Sequence, residues 1–531
     1  MKGIFLSIAL LLATHFSEAQ ISAKLMRYLD VSDTQITFVY GGDLWIMPKT
    51  GGQAVQITHS PGEESFPKFS PDGSEIAYTA SYNGNSDIYT MPSNGGIPTR
   101  VTYASFPDRM VEWHPDGKRI LFASRREAGT PRVNQFFMID KNGGMPQKLS
   151  VPYGELASFS ADGNKLAYIT KITENYPFKR YRGGLTSDVI VYDLLTNKAE
   201  NITNNLANDG KPAWVGDKIY FLSDQDKNMR LNIWAYDISS KSAKQLTNFT
   251  DFDIAYFSAG AKDLVFENGG ILYLMDLATE KFQPVKVEVV SDLSLEISKI
   301  KNVEKSILSA TASPEGKRIV FESRGELFNA PVKDGFVLNL TKSSGAFDHS
   351  PAWSPDGNSV AYWSDKSGEY EIYIQNMKTA EPARKLSNRG FGFGYKLFWS
   401  PDNKMLAYID EKNDISVIDA ATGAMKKADN YTWELGHGSR YNYNISWSPD
   451  SKWIAYSKRG DNANDAIFMY NVSQGKAYRV TSSFYNTYNP TFSAEENICF
   501  VSLTESLILH TAAWVTEHGF IPIMVAWPPS A

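Results

Sequence analysis

The sequence predicts an all-β protein of tandem β-propellers: a complete six-bladed ring followed by an incomplete one. Three observations predict it. A strand–turn–strand unit built on Ser-Pro-Asp-Gly or a close variant recurs along the chain. Its turn aspartates are spaced by roughly 44 to 55 residues, the range in which a repeat means a four-stranded propeller blade. Gly, Asn and Asp punctuate short apolar runs throughout and leave little room for helices. The competing arrangement, unrelated hairpins in a sandwich, does not account for the regular spacing.

Ser350–Asn376 shows the unit most completely. Pro355 presets φ at the second position of a tight turn, Asp356 can bond the backbone two residues on, and Gly357 accepts the left-handed conformation. Val360 and Tyr362, then Ile372 and Ile374, alternate with their neighbours at the strand period of two. A unit of three or four strands cannot bury both its faces alone, so it must stack on copies of itself.

The bulk composition sets limits. A chain of 531 residues is too long for one ordinary core. Aromatics at 13% and charged residues at 21% fit a folded protein rather than a disordered one. A formal net charge of −6 gives no reason to expect a nucleic-acid partner. Cys499 is the single cysteine, so neither an internal disulfide nor a cysteine-rich metal site can form. Residues 1–19 read as a signal peptide, with Lys2, an apolar run over Ile4–Ala13, and Ser17-Glu18-Ala19 as the cleavage site. That run is too short to span a bilayer, although an uncleaved anchor is the alternative. A mature chain starting near Gln20, secreted or periplasmic and not bound to membrane after cleavage, is expected.

The first ring is assigned to residues 20–290. Its repeats open at Ile36, Phe69-Ser70-Pro71-Asp72-Gly73, Trp113-His114-Pro115-Asp116-Gly117, Phe159-Ser160-Ala161-Asp162-Gly163, Trp214-Val215-Gly216-Asp217 and Tyr256-Phe257-Ser258. Residues 286–306 carry many charges and no turn signature, and read as a connection. The partial second ring is assigned to 300–494, with repeats at Ser313-Pro314-Glu315-Gly316, the stretch above, Trp399-Ser400-Pro401-Asp402, Trp447-Ser448-Pro449-Asp450 and Asn489–Ser493. From Glu495 the chain changes character, with no second-strand pattern expected. Residues 495–531 read as an atypical tail, either a helix-like cap or, preferred, a shifted reading frame after codon 494.

No catalytic set is recognisable. Gly436-His437-Gly438-Ser439-Arg440 lacks the spacing of a nucleophile elbow. None of the seven histidines stands in a ligand arrangement, and His114, which replaces the serine of the repeat, reads as a turn residue. Asp224, Asp226 and Asn228 lack the glycine and glutamate of a calcium loop and read as an exposed loop. No metal and no cofactor are expected. One polar cluster stands out in a long loop of the fourth repeat. Lys179, Arg180 and Arg182, interleaved with aromatics, suit carboxylate capture, against a solvated loop or an inter-domain contact.

Several stretches together resemble the tricorn protease family: PAWSPDG with GEYEIYI, the Lys179–Gly184 loop ahead of Asp188–Asp193, SWSPDSKWIAYSKR, and GELFNAPVKDGFVLNLT. The resemblance covers roughly residues 30–494. It implies a six-bladed and then a seven-bladed propeller ahead of a PDZ-bearing serine-peptidase core that trims oligopeptides, the propellers gating or channelling substrate. It also implies basic residues of the first ring that hold a peptide's C-terminal carboxylate, for which Lys179, Arg180 and Arg182 are the candidates. This sequence departs from the pattern by carrying four and a half blades of the second ring and no peptidase core. No catalytic residue is therefore transferred, and the chain is expected to be inactive alone. Oligopeptides, a peptidase core, or self-association through the propellers are the expected partners. A TolB-like periplasmic scaffold without enzymatic activity is the alternative.

Overall fold

The computed structural model describes residues 20–526 except 23, 130–132, 173–179, 185, 291–301, 344, 380, 432–436, 461, 485, 494–497, 504–508 and 517–518. The signal-peptide assignment and Lys179 lie outside the described residues. Two compact units are formed, residues 1–175 with 182–299, and residues 176–181 with 300–531.

Among the described residues the first unit holds six sheets, each built on a sequential antiparallel meander of four strands. Five have four strands, for example Glu64–Phe69, Glu75–Ala80, Asp87–Pro92 and Thr99–Arg100. The first sheet gains two. After the sixth sheet's outer strand, Lys281–Val285, the chain continues as Val287–Val290, which pairs in parallel with Gly52–Gln56 and antiparallel with Gln20–Ser22. The first strands lie side by side around a circuit, Arg27–Val31 packing against both Glu64–Phe69 and Ile254–Ala259. The apolar cores follow the same circuit. Val39, Leu44 and Ile46 meet Phe69, Ile76 and Tyr78 between the first two sheets. Ile36, Phe38 and Trp45 meet Val265 and Leu272 between the first and the sixth. Both faces of each sheet are thereby covered, and central strands such as Glu75–Ala80 are buried at five successive positions rather than at alternate ones.

The second unit holds five four-stranded sheets. Ala361, Trp363 and Ile372 pack on Leu397, Leu406 and Tyr408 between the second and third of them. The first sheet differs. Its first strand, Ile307–Ala312, has no buried residue and leaves Leu308 68% exposed, whereas Asp348–Trp353 in the next sheet is buried at five of six positions. Beyond residue 494 the structure departs from the expected loss of pattern. Ile498–Leu503 pairs with Thr487–Phe492, and Leu509–Thr516 with Gly519–Ala526 completes that sheet. Cys499, Phe500 and Val501 are β-prone residues that a sheet edge can recruit without a preceding Gly-Gly turn, the signal on which the sequence reading relied.

The Ser-Pro-Asp-Gly turns form as their chemistry requires. Ser354 Oγ donates to Asp356 (2.5 Å) and accepts from the Ser359 amide (2.9 Å), Asp356 accepts from the Asn358 amide (3.0 Å), and Gly357 has φ +71°. Where the glycine is replaced by Asn403 or Ser451, still left-handed, the new side chain accepts from the amide of Asp356 or Asp402 in the preceding turn. His114 fills its predicted turn role, its Nδ1 accepting from the Asp116 amide (3.2 Å).

Pairs of acids face each other where adjacent sheets meet, and these are not all neutralised alike. Where the second and third sheets meet, Arg100 pairs with Asp87 within the second (2.7 Å) and Arg126 with Asp108 within the third (2.5 Å). Between the first and second, Asp43 and Glu64 occupy the equivalent places, but Gln56 and Tyr82 stand where the arginines would be. Glu64 is 2% exposed and accepts from the Thr58 hydroxyl (3.1 Å). Burial, with Asp43 adding to it, pushes its carboxyl up to about 7 despite bonding from Tyr82 and Thr58. The folded chain thus holds a proton there that the unfolded chain releases near 4.5. Stability from this group is full below that pH and is lost as pH rises through 7. Glu64→Gln is expected to stabilise the first unit by up to about 3 kcal/mol at pH 8 and by nothing at pH 4. Urea unfolding across that range checks it; a gain that does not change with pH would refute the assignment.

Candidate functional site

The first strands carry the side chains that converge inside the first unit's circuit. Five of these six strands have a register irregularity, for instance between Arg27 and Asp30, Ser65 and Lys68, and Gly210 and Ala213, whereas Leu156–Phe159 pairs in unbroken register. Such bulges re-aim a side chain at a cost in backbone strain. Tyr28, Phe66 and Lys211 sit in them with φ of +51°, +52° and +50°, in the left-handed region that such residues seldom occupy.

Two layers result. In the first, the Tyr28 ring lies tilted at 4.3 Å from Phe66 and meets Tyr256 edge-on at 5.0 Å, ring centroid to centroid. Arg109 lies over the Phe66 ring at 5.5 Å and Lys211 over the Tyr256 ring at 4.4 Å. Arg109 also donates to the Glu155 carboxylate (2.6 Å), so all six sheets contribute to one layer, aromatic on one side and charged on the other. Two or three residues further along the chain lies the second layer: Asp30, Lys68, Glu112, Ser158, Ala213 and Ser258. Lys68 Nζ donates to Ser258 Oγ (2.6 Å) and pairs with Asp30 (3.4 Å) and Glu112 (3.7 Å), and Ser258 donates to Asp30 (2.5 Å).

Lys68 and Glu112 lie deep in the unit yet keep 21% and 23% of their side-chain surface open. Burial works against the Lys68 charge, but Glu112 and Asp30 outweigh it and hold the ammonium above its ordinary value. Burial pushes the Glu112 carboxyl up, against the pull of Lys68. Sequence reasoning passed over these residues, because a lone charge in an apolar strand is individually unremarkable. The signal was positional: Lys68 and Glu112 stand two residues before the turn Ser70 and His114.

The sequence-predicted cluster is not brought together as a free cationic patch. Arg182 binds Asp224 through Oδ2 (3.0 Å) and the backbone carbonyl (3.1 Å). Arg180 is buried and pairs with Glu369 (2.8 Å), both within the second unit. A peptide carboxylate at either position has to displace a protein one. Asp224, read from sequence as part of an exposed loop, is 2% exposed and also accepts from the Asn208 amide (2.8 Å). Among the described residues no group of three or more His, Cys, Asp or Glu is placed to hold a metal ion, and no helix is long and apolar enough to cross a membrane.

Stacked four-stranded sheets in two units define a chain of β-propeller domains. Residues 23–281 match the family described as the tricorn protease N-terminal beta propeller domain, and residues 307–503 the tricorn protease second beta propeller domain. The chain belongs to the tricorn protease family and corresponds to its propeller portion. The tricorn protease homolog of Saccharolobus solfataricus is 23% identical over 413 residues, covering 77% of this chain and 37% of that protein. The tricorn protease of Thermoplasma volcanium is 24% identical over 361 residues, covering 68% and 34%. A tricorn-like protease C-terminal subunit from Sulfurisphaera tokodaii, so named as putative, is 22% identical over 233 residues, covering 43% and 26%. The chain thus spans about a third of the length of the curated relatives it matches. The crystal structure of the tricorn protease aligns with a TM-score of 0.47 at 20% identity, covering 92% of this chain and 47% of that one.

Lys68→Met leaves Asp30 and Glu112 facing each other without their shared cation. A loss of about 2–3 kcal/mol is expected at pH 7, below the range for a fully buried pair because the site is partly open. The loss should shrink on acidification as Glu112 takes up a proton. Urea unfolding at pH 5 and 7 measures it, and an unchanged midpoint would mean that the layer is not coupled.

Proposed function

We propose that this chain is the propeller portion of a secreted tricorn-like serine peptidase that trims oligopeptides, and that it gates or channels substrate for a peptidase core. The observation that carries this is the convergence of side chains from all six sheets of the first unit on its internal layers. Family membership supplies the class of reaction. The name of the Sulfurisphaera relative, that of a subunit, supports an active assembly of more than one chain. The open face of the sheet beginning at Ile307 offers apolar area for a partner or for self-association.

The chain lacks a recognisable nucleophile–base pair and is inactive alone on this reading. Purified, it is expected to turn over no unblocked oligopeptide. Recovered with a tag from the extracytoplasmic fraction of its own cell, it is expected to begin at Gln20 and to carry a peptidase activity blocked by serine-directed fluorophosphonates. Turnover by the chain alone, or a cytoplasmic chain that retains Met1, would overturn the reading.

Within the same reading, Arg182 holds a substrate's terminal carboxylate in exchange for Asp224. Arg182→Met should then weaken free-acid oligopeptides about tenfold relative to their C-terminal amides, the size of one charge-assisted hydrogen bond. Equal effects on both, read by calorimetry, would leave the arginine a purely structural partner of Asp224.

A further inference from the structure

The second unit buries a carboxylate that nothing neutralises. Glu322, in the strand Arg318–Ser323, is 1% exposed. One of its oxygens accepts from Ser309 Oγ (2.7 Å) and from the Ser350 amide (3.4 Å). The other is shielded from solvent and has no hydrogen-bond partner among the described residues. Ser350, whose amide makes that contact, sits in the bulge of Asp348–Trp353 at φ +52°, a conformation costly for a residue with a side chain. Among the described residues no cation pairs with Glu322. Arg180 pairs instead with Glu369 (2.8 Å), and Arg440 donates to Asn413 (2.7 Å). Burial pushes the Glu322 carboxyl up, against the pull of Ser309 and the Ser350 amide.

Aromatic rings stand beside this carboxylate. His349, adjacent to Ser350, stacks on Phe393 at 4.6 Å and 7° and meets Tyr370 edge-on at 5.2 Å. Edge-to-face contacts then link Tyr370 to Phe393 (5.0 Å), Phe393 to Tyr395 (5.1 Å) and Tyr395 to Tyr441 (5.1 Å). Burial pushes the phenols of Tyr370 and Tyr441 up. Asp365 adds to this at Tyr370 and Tyr395 at Tyr441, and the Glu322 charge adds at both, so the carboxylate lies within electrostatic reach of both hydroxyls. Tyr370 and Tyr441 keep part of their surface open.

A core built only for packing gains nothing from a carboxylate without a partner, because burying a charge is costly unless it is paired. A carboxylate short of a cation, set among π-faces that themselves attract positive charge, suits an organic ammonium ion. A hard metal ion suits it less, since one carboxylate among aromatic rings supplies too few oxygen donors. We infer that the second unit binds an alkylammonium group, with its charge at Glu322 and its carbon substituents on Tyr370, Phe393 and Tyr441. Small quaternary amines and lysine side chains both present this chemistry, a charged nitrogen on an apolar frame. The site is independent of the peptide-channel reading and of Arg182.

Calorimetric titration of the full chain tests it with two cations, choline and Nα-acetyl-lysine amide, each beside an uncharged counterpart. For choline that is the alcohol in which tert-butyl replaces trimethylammonium, and for the lysine derivative it is Nα-acetyl-norleucine amide. At least one cation is expected to bind about tenfold or more tightly than its counterpart, as a desolvated cation–π site allows. Preference for choline assigns the site to quaternary amines, and preference for the lysine derivative assigns it to basic side chains. Glu322→Gln keeps the shape and relieves a buried charge, so it should remove the preference for the cation while thermal unfolding shows a chain at least as stable. Tyr441→Leu should weaken the cation about fivefold more than its counterpart, a difference that lost packing alone would not make. No measurable binding of either cation, equal binding of cation and counterpart, or a preference that survives Glu322→Gln would overturn the assignment.

Discussion

A single hydroxyl contact recurs through both units, and the stacking of sheets depends on it. A threonine or serine just past the outer strand accepts from the amide of the second residue of the third strand. Leu44 donates to Thr58 (2.8 Å), Ile88 to Thr102 (3.0 Å), Ile233 to Thr247 (2.9 Å), Leu327 to Thr341 (3.1 Å) and Ile372 to Ser387 (2.8 Å). The contact ends the outer strand and turns the chain towards the next sheet with a fixed register. Thr58 then donates to Glu64, the first residue of that next sheet, so one hydroxyl joins two sheets. Without it the apolar faces would still attract one another, because burial is non-directional, and register would rest on fewer directed contacts such as Trp113 Nε1 to the Lys68 carbonyl.

The first strands answer to a second demand. They lie where sheets crowd together, and they carry the bulges, the left-handed residues and the charged groups. Apolar packing between sheets supplies the stability that tolerates this strain, as is usual where a backbone is held in a sparsely populated conformation. The acid pairs show how far the repeat can vary within one scaffold. Two arginines neutralise Asp87 and Asp108, whereas Glu64 and Asp43 manage with Gln56 and Tyr82, and Glu64 keeps a proton instead. The same backbone therefore supports junctions of different pH sensitivity.

The sequence by itself determined the fold class, the turns and the family. Pro-Asp-Gly at fixed spacing allows few alternatives, since each residue has one local physical task, and Ser354–Ser359 performs those tasks as read. Strand positions were legible as apolar runs, but the alternation read at Val360 and Tyr362 understated burial. Ala361 and Trp363 are fully buried too, because both faces of each sheet are covered by neighbours that no local pattern reveals. Tertiary structure alone decided which charges meet. Lys68, Asp30, Glu112 and Ser258 are up to 228 positions apart in the chain, and Arg182 finds its partner in Asp224 rather than in solvent. Composition marks such residues as charged or polar. Only closure of the circuit brings them within hydrogen-bond reach, because ion pairing is a property of distances that the chain acquires on folding.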